Sequence, residues 1–282
     1  MEQPDAQFLV ADDASLTYGE LDRATRVAAA RFAAHGVVKG TRVGILMPNS
    51  AAWAITALAV ARVGGVVVTL STLLRPPELA AQLRTAGVEH LVVVPEFRGR
   101  RYLDDLGEIS PALVSRPAAL FDPALPRLRS IVVWPEWSAS DGAQAGAALV
   151  DALEHAVRPA DDLAIIFTSG SRGTPKGVIH THGGALGATE AGLEARCVTR
   201  DDRLYVAMPF FWVGGFGTGL LSVLLAGATL VVEAQPEPAH TLALLARERV
   251  TLFRGWPDQA AALAAHPDFA STDLSSLGTG SL

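Results

Sequence analysis

The sequence is short of several residues that would place it in large classes of protein. A single cysteine, Cys197, among 282 residues excludes an internal disulfide and any zinc site built on several thiolates, and points to a reducing compartment. Lysine is almost missing: of 23 basic residues only Lys39 and Lys176 are lysine, the rest being arginine. Against 29 acidic residues this leaves a formal charge of −6, with the arginines scattered singly apart from Arg98, Arg100 and Arg101. No basic face is available for nucleic acid. The triplet reads as a solvated turn. The N-terminus, Met1-Glu2-Gln3-Pro4-Asp5, carries acid where a secretory signal needs base, so the expected location is cytoplasmic.

Uninterrupted membrane-length helices are also missing. Ala51 to Leu70 is broken by Arg62 and by Gly64-Gly65, and Phe210 to Val232, although 23 residues without a charge, contains five glycines and ends in a strand-like run. What is present is apolar residue in quantity. Half of the chain is hydrophobic, enough at this length to bury a large core.

The pattern of those residues predicts an α/β fold with parallel-rich sheets layered with helices. Thr17-Tyr18-Gly19-Glu20 has the spacing of a capping box, and Leu21, Ala24, Ala28 and Phe32 then share one face, giving a helix over 18–35 that Gly36 can cap. Strand-like runs begin at Arg42, Val66 and His90, each 24 residues after the last, with helical segments 51–63 and 77–86 between them. Strands apolar on both faces at that spacing are the mark of βαβ units. Three regions follow: 1–95 as the first βαβ region, 96–162 as a connector with one strand at 130–134, and 163–282 as renewed alternation. In the last, strands are expected at 163–168, 203–207, 228–232 and 250–253, with helices near 184–197, 216–226, 241–248 and 257–265.

The strongest local signal lies where the strand 163–168 runs into Thr168-Ser169-Gly170-Ser171-Arg172-Gly173-Thr174-Pro175-Lys176-Gly177. Glycines let successive backbone N–H groups turn into one concavity that binds anions, hydroxyls add donors, and Lys176 adds a full charge. No Asp or Glu occurs between Asp162 and Glu190 to repel a polyphosphate. The spacing matches neither the Walker A loop nor the dinucleotide fingerprint. On composition alone the segment is either a phosphate cradle or a plain turn.

These ten residues resemble the T-S-G-[ST]-T-G-x-P-K-G signature of the adenylate-forming superfamily, which includes acyl-CoA synthetases, luciferases and the adenylation domains of nonribosomal peptide synthetases. Other segments are similar in the same order: Leu16-Thr17-Tyr18-Gly19-Glu20-Leu21, the strand and turn ending Pro48-Asn49-Ser50, and Tyr205 to Gly215 with Met208-Pro209-Phe210-Phe211-Trp212. His266-Pro267-Asp268-Phe269 and Asp273-Leu274-Ser275-Ser276-Leu277 resemble the acyl-CoA ligase branch. The resemblance implies ATP-dependent activation of a carboxylic acid to an acyl-adenylate, followed by transfer to CoA.

It further implies that Thr168, Ser169, Gly170, Ser171, Arg172, Gly173, Thr174, Lys176 and Gly177 bind the ATP phosphates. Lys176 stabilises charge on the departing pyrophosphate, and Mg²⁺ is held through the phosphates rather than by a protein metal site. Phe211, Trp212, Gly214 and Gly215 lie near the acyl pocket, the glycines leaving room and the aromatics forming a wall. Arg172 stands where the family has Thr or Ser, and Trp212 where many members have His. His180 and His182 alternate, but no third ligand has suitable spacing, so no metal site is expected. Cys197 reads as a buried structural residue.

The chain stops at Leu282 without a closing helix or strand. Beside the resemblance this gives the expectation of an incomplete N-terminal domain of an acyl-CoA synthetase-like fold, inactive alone. The alternatives are a non-catalytic nucleotide- or acyl-binding remnant, and an adenylation domain that loads a carrier protein. The particular acid and the oligomeric state are open at this level.

Overall fold

The structure, a computed structural model, describes residues 3–115, 120–135, 146–168 and 176–278. Strands in chain order are β1 (Gln7–Val10), β2 (Ser15–Thr17), β3 (Arg42–Leu46), β4 (Val66–Thr69), β5 (His90–Val93), β6 (Glu96–Phe97) and β7 (Arg100–Arg101). They continue with β8 (Ser130–Val133), β9 (Asp162–Thr168), β10 (Lys176–Thr181), β11 (Arg203–Val206), β12 (Thr229–Val231) and β13 (Leu252–Arg254). The chain forms two compact units from interleaved segments, one of residues 23–47 and 55–185, the other of residues 1–22, 48–54 and 186–282. This partition cuts across the three consecutive regions read along the sequence.

The first unit is built on a six-stranded sheet of order β10-β9-β4-β3-β5-β8, parallel throughout except for β10. β3, β4 and β5 begin at the three residues picked out by the apolar spacing. Their side chains are apolar because helices cover them: Leu79, Leu83 and Ala86 of the helix Pro76–Ala86 share one buried cluster with Val66, Val68 and Leu91. That helix starts on prolines and ends at Gly87 in the left-handed conformation (φ 62°), the expected asymmetry of helix ends.

The connector is more structured than its composition predicts. It holds the hairpin β6–β7, helices Tyr102–Ile109, Ala112–Ser115 and Ala147–Ala156, and β8 at the sheet edge. Arg100 is not a solvated turn residue: its guanidinium pairs with Asp105 at 2.6 Å and donates to the carbonyls of Thr72 and Leu74. It thereby fastens the hairpin to the segment before the helix Pro76–Ala86.

The second unit carries a five-stranded sheet of order β13-β11-β12-β1-β2, parallel except for the β1–β2 hairpin. β1 and β2 escape the sequence pattern. β1 finds its parallel partner, β12, more than two hundred residues later, with Leu9 opposite Leu230. The Tyr18 hydroxyl donates to the carbonyls of Val223 and Ala228, both at 2.9 Å, and burial pushes its pKa up. No described helix is long and apolar enough to cross a membrane.

Two imidazoles of the first unit have their pKa lowered by burial. His90, buried with Nδ1 2.8 Å from the Ser130 hydroxyl, has its pKa lowered from 6.5 chiefly by desolvation, and His182 is lowered by the same cause. A histidine with a lower folded than unfolded pKa leaves the unfolded chain binding more protons, so stability is complete above the unfolded value and falls as pH drops through it. The urea midpoint is therefore expected to decrease between pH 7.5 and 5.5, and the doubly substituted H90Q/H182Q chain to show a flatter profile. Equal slopes for the two proteins would contradict this assignment.

Candidate functional site

In the first unit β9 is buried from Leu163 to Ile166 and emerges into solvent at Thr168. Its parallel neighbour β4 ends at Thr69, level with Ile166, so the two carboxyl ends lie side by side. β10 returns antiparallel at the sheet edge with Lys176 opposite Thr168 and Gly177 opposite Phe167. The Thr168 hydroxyl lies 3.5 Å from the Lys176 carbonyl. Thus the first and last polar residues of the signature form one register pair at the carboxyl end of a buried strand. Ser169, Gly170, Ser171, Arg172, Gly173 and Thr174 lie outside the described residues.

The two lysines divide clearly. Lys39 pairs with Asp161 at 2.7 Å and donates to the Ala156 carbonyl, beside the amino end of β9; the Asp161 carboxyl is held below its ordinary range chiefly by that hydrogen bond. Among the described residues no carboxylate pairs with Lys176. Gly177 has a packing reason of its own, because a Cβ there would sit 2.6 Å from Cγ2 of Ile165 across the strand pair. His180 belongs to β10 and His182 opens the helix His182–Ala191; among the described residues no group of three metal-ligating side chains occurs.

In the second unit the turn after β11 is clamped by Asn49. Its amide donates from Nδ2 to the Met208 carbonyl at 3.0 Å, and its Oδ1 accepts from the Phe210 N–H at 2.7 Å. Asn49 is buried, so both of its polar ends are satisfied by one turn. Phe210 and Phe211 are buried, whereas Trp212 is 41% exposed. Trp53 packs on Phe210 (ring centroids 5.1 Å) and Phe216 (5.6 Å), and Phe211 meets Trp212 edge to face at 5.5 Å.

A π-helix, Gly214–Leu221, follows directly and passes into the α-helix Ser222–Ala226, where the sequence predicts one α-helix. Such wide turns are rare and concentrate at functional sites. Its first glycines do not open space for a ligand: a Cβ on Gly215 would lie 2.1 Å from the Pro209 carbonyl oxygen, and one on Gly214 2.6 Å from Sδ of Met208. The chain itself fills that room. Cys197 is also not as the sequence suggested, being exposed with a left-handed backbone (φ 53°), because it closes the turn after His182–Ala191 instead of lying inside a helix.

Two features escaped the sequence reading. Trp256 meets Trp212 at 5.8 Å with the rings 78° apart, and its place directly before Pro257 at a helix start was the available signal. Glu233, 1% exposed, accepts from the Tyr205 hydroxyl at 2.6 Å and the Thr241 hydroxyl at 2.7 Å and lies 2.5 Å from Nδ1 of His240. It ties the end of β12 to β11 and to the helix Pro238–Arg247; burial is the main cause that pushes the Tyr205 pKa up.

Both units are parallel-rich α/β folds with the candidate residues beyond the carboxyl ends of their strands, the position where open α/β sheets take ligands. The sequence pattern of the AMP-binding enzyme family matches residues 1–281, and the chain belongs to that family. It is 35% identical to a 3-[(3aS,4S,7aS)-7a-methyl-1,5-dioxo-octahydro-1H-inden-4-yl]propanoyl:CoA ligase of Mycobacterium tuberculosis (strain ATCC 25618 / H37Rv), over 97% of this chain and 53% of the relative. It is 32% identical to a feruloyl-CoA synthase of Amycolatopsis sp, over 94% of this chain and 48% of the relative. The anthranilate CoA ligase AuaEII, solved with anthranoyl-AMP, shares the fold with a TM-score of 0.80 at 24% identity, over 98% of this chain and 50% of that one. The N-terminal domain of FACL13 from Mycobacterium tuberculosis gives 0.79 at 24% identity, over 98% and 65%. The chain spans about half the length of the curated relatives it matches.

Removing the Asn49 clamp leaves the buried Phe210 N–H and the part-buried Met208 carbonyl without this partner. Asn49→Ala is expected to lower unfolding free energy by about 2–3 kcal/mol in urea titration. Gly215→Ala, which meets backbone, is expected to cost more than Gly214→Ala, which meets the movable end of Met208; equal melting temperatures for the two would contradict the packing described.

Proposed function

We propose that this chain is the nucleotide-binding part of an AMP-forming acid–thiol ligase. In the first step a carboxylate oxygen attacks the α-phosphorus of ATP, forming an acyl-adenylate and releasing pyrophosphate. In the second the CoA thiol attacks the acyl carbon, the C–O bond to AMP breaks, and the thiol proton passes to solvent as thioester and AMP form. The observation that carries this reading is the family match over residues 1–281 together with the pairing of Thr168 and Lys176 at the carboxyl end of β9.

In this reading the hydroxyls and N–H groups of Thr168, Ser169, Gly170, Ser171, Gly173, Thr174 and Gly177 hold the β- and γ-phosphates, and Arg172 adds a forked contact. Negative charge grows on the departing pyrophosphate, and Lys176 stabilises it electrostatically, a contribution that is larger in the transition state than in bound ATP. Mg²⁺ arrives with the phosphates. Phe211, Trp212, Gly214 and Gly215 form the acyl side, the glycines acting by letting the chain double back so that Trp212 is presented. The named relatives are a CoA ligase and a CoA synthase, which favours CoA over a carrier protein as acceptor.

Isothermal titration of Mg-ATP and Mg-pyrophosphate into the chain tests the phosphate assignment. Lys176→Ala is expected to weaken both by about tenfold to a hundredfold, the worth of one charge-assisted hydrogen bond to phosphate. Unchanged affinity in the variant would remove Lys176 from the site.

A further inference from the structure

We propose that Trp256 is a specificity-determining residue: with Trp212 it forms an indole corner that prefers a carboxylic acid bearing a fused or aryl ring over one with a linear chain. The proposal rests on the acid-activating reading above and names the class of acid. Its first support is position. β11 and β13 are parallel neighbours, Val206 lies opposite Arg254, and the pairing continues with the Ala207 N–H donating to the Arg254 carbonyl at 2.8 Å. The carboxyl end of each strand delivers one of the two tryptophans, Trp256 directly and Trp212 through the turn that Asn49 clamps. Ligands of open α/β sheets bind beyond those ends.

The second support is exposure against chemistry. Large aromatic side chains contribute most when buried, as Trp53 and Phe210 are here, yet Trp212 and Trp256 remain 41% and 43% exposed. The third is shape. With ring planes 78° apart and centroids 5.8 Å apart, the pair makes a wall of two nearly perpendicular surfaces. A rigid ring lies flat on one indole while its edge meets the other, and it loses few rotors on binding. A linear chain touches less of the corner and must freeze many torsions.

The corner is also held in place before any ligand arrives. The Trp256 backbone N–H donates to Oε1 of Gln259 at 2.8 Å, Pro257 starts the helix Pro257–Ala264, and a Cβ on Gly255 would lie 2.6 Å from the Phe253 ring, so the approach needs glycine. On the other side the Trp212 backbone N–H donates to the Pro209 carbonyl at 3.1 Å and its ring meets Phe211 edge to face.

Titration of indanylpropanoate and of the linear carboxylate of equal carbon number, followed by calorimetry and tryptophan fluorescence, separates the possibilities. Trp256→Leu is expected to weaken the ring acid by about tenfold and the linear acid by less than about twofold, with Trp256→Phe recovering most of the loss. Circular dichroism equal to the parent establishes that the variants are folded. Equal weakening of both acids, or no weakening of the ring acid, overturns the corner while leaving acid activation standing. Failure of both acids to bind a chain that still binds Mg-ATP overturns the acid-activating reading and the corner with it.

Discussion

A buried parallel strand has no room along its length for a polar side chain without a partner, and this constraint favours the strand ends as the place for chemistry in both units. Leu163 to Ile166 and Leu204 to Val206 are buried, and the candidate site residues stand where the strands run out. Thr168 and Lys176 stand at the end of β9, while the turn from Ala207 to Trp212 and the Gly255-Trp256 step stand at the ends of β11 and β13. The ladder that buries the strands is thus also what aims their ends.

The ends of β9, β11 and β12 are secured by three different physical devices. At β9 it is an antiparallel return: β10 brings Lys176 back into register, and Gly177 permits it because Ile165 fills the space a side chain would need. At β11 it is one buried amide, Asn49, whose donor and acceptor match the carbonyl and N–H of a single turn. At β12 it is the buried carboxylate of Glu233, which would be costly alone and is offset by hydroxyl donors from Tyr205 and Thr241 and by His240.

The sequence discloses the parts of this arrangement that depend on periodicity. The starts of β3, β4 and β5 could be read to the residue because strands buried on both faces are continuous apolar runs. The parts that depend on long-range pairing could not. β1 and β2 lie outside the regular βα alternation, β1 pairing with a strand more than two hundred residues away, and β10 begins inside a Gly/Ser/Pro-rich stretch whose composition reads as loop. The candidate site was legible through its motif residues, whereas Asn49 was visible only as part of a turn and Trp256 only as an aromatic before proline. Cys197 was misjudged because a left-handed turn leaves no compositional trace.

The central claim is that the segment between β9 and β10 binds phosphate at the carboxyl end of a buried strand. Amide hydrogen exchange of the chain with and without Mg-pyrophosphate tests it most directly. The account predicts slowed exchange concentrated in peptides covering residues 166–178, with the remaining strands of that sheet unchanged. Unaltered exchange across those residues in a chain that binds pyrophosphate, with slowing elsewhere, would contradict it.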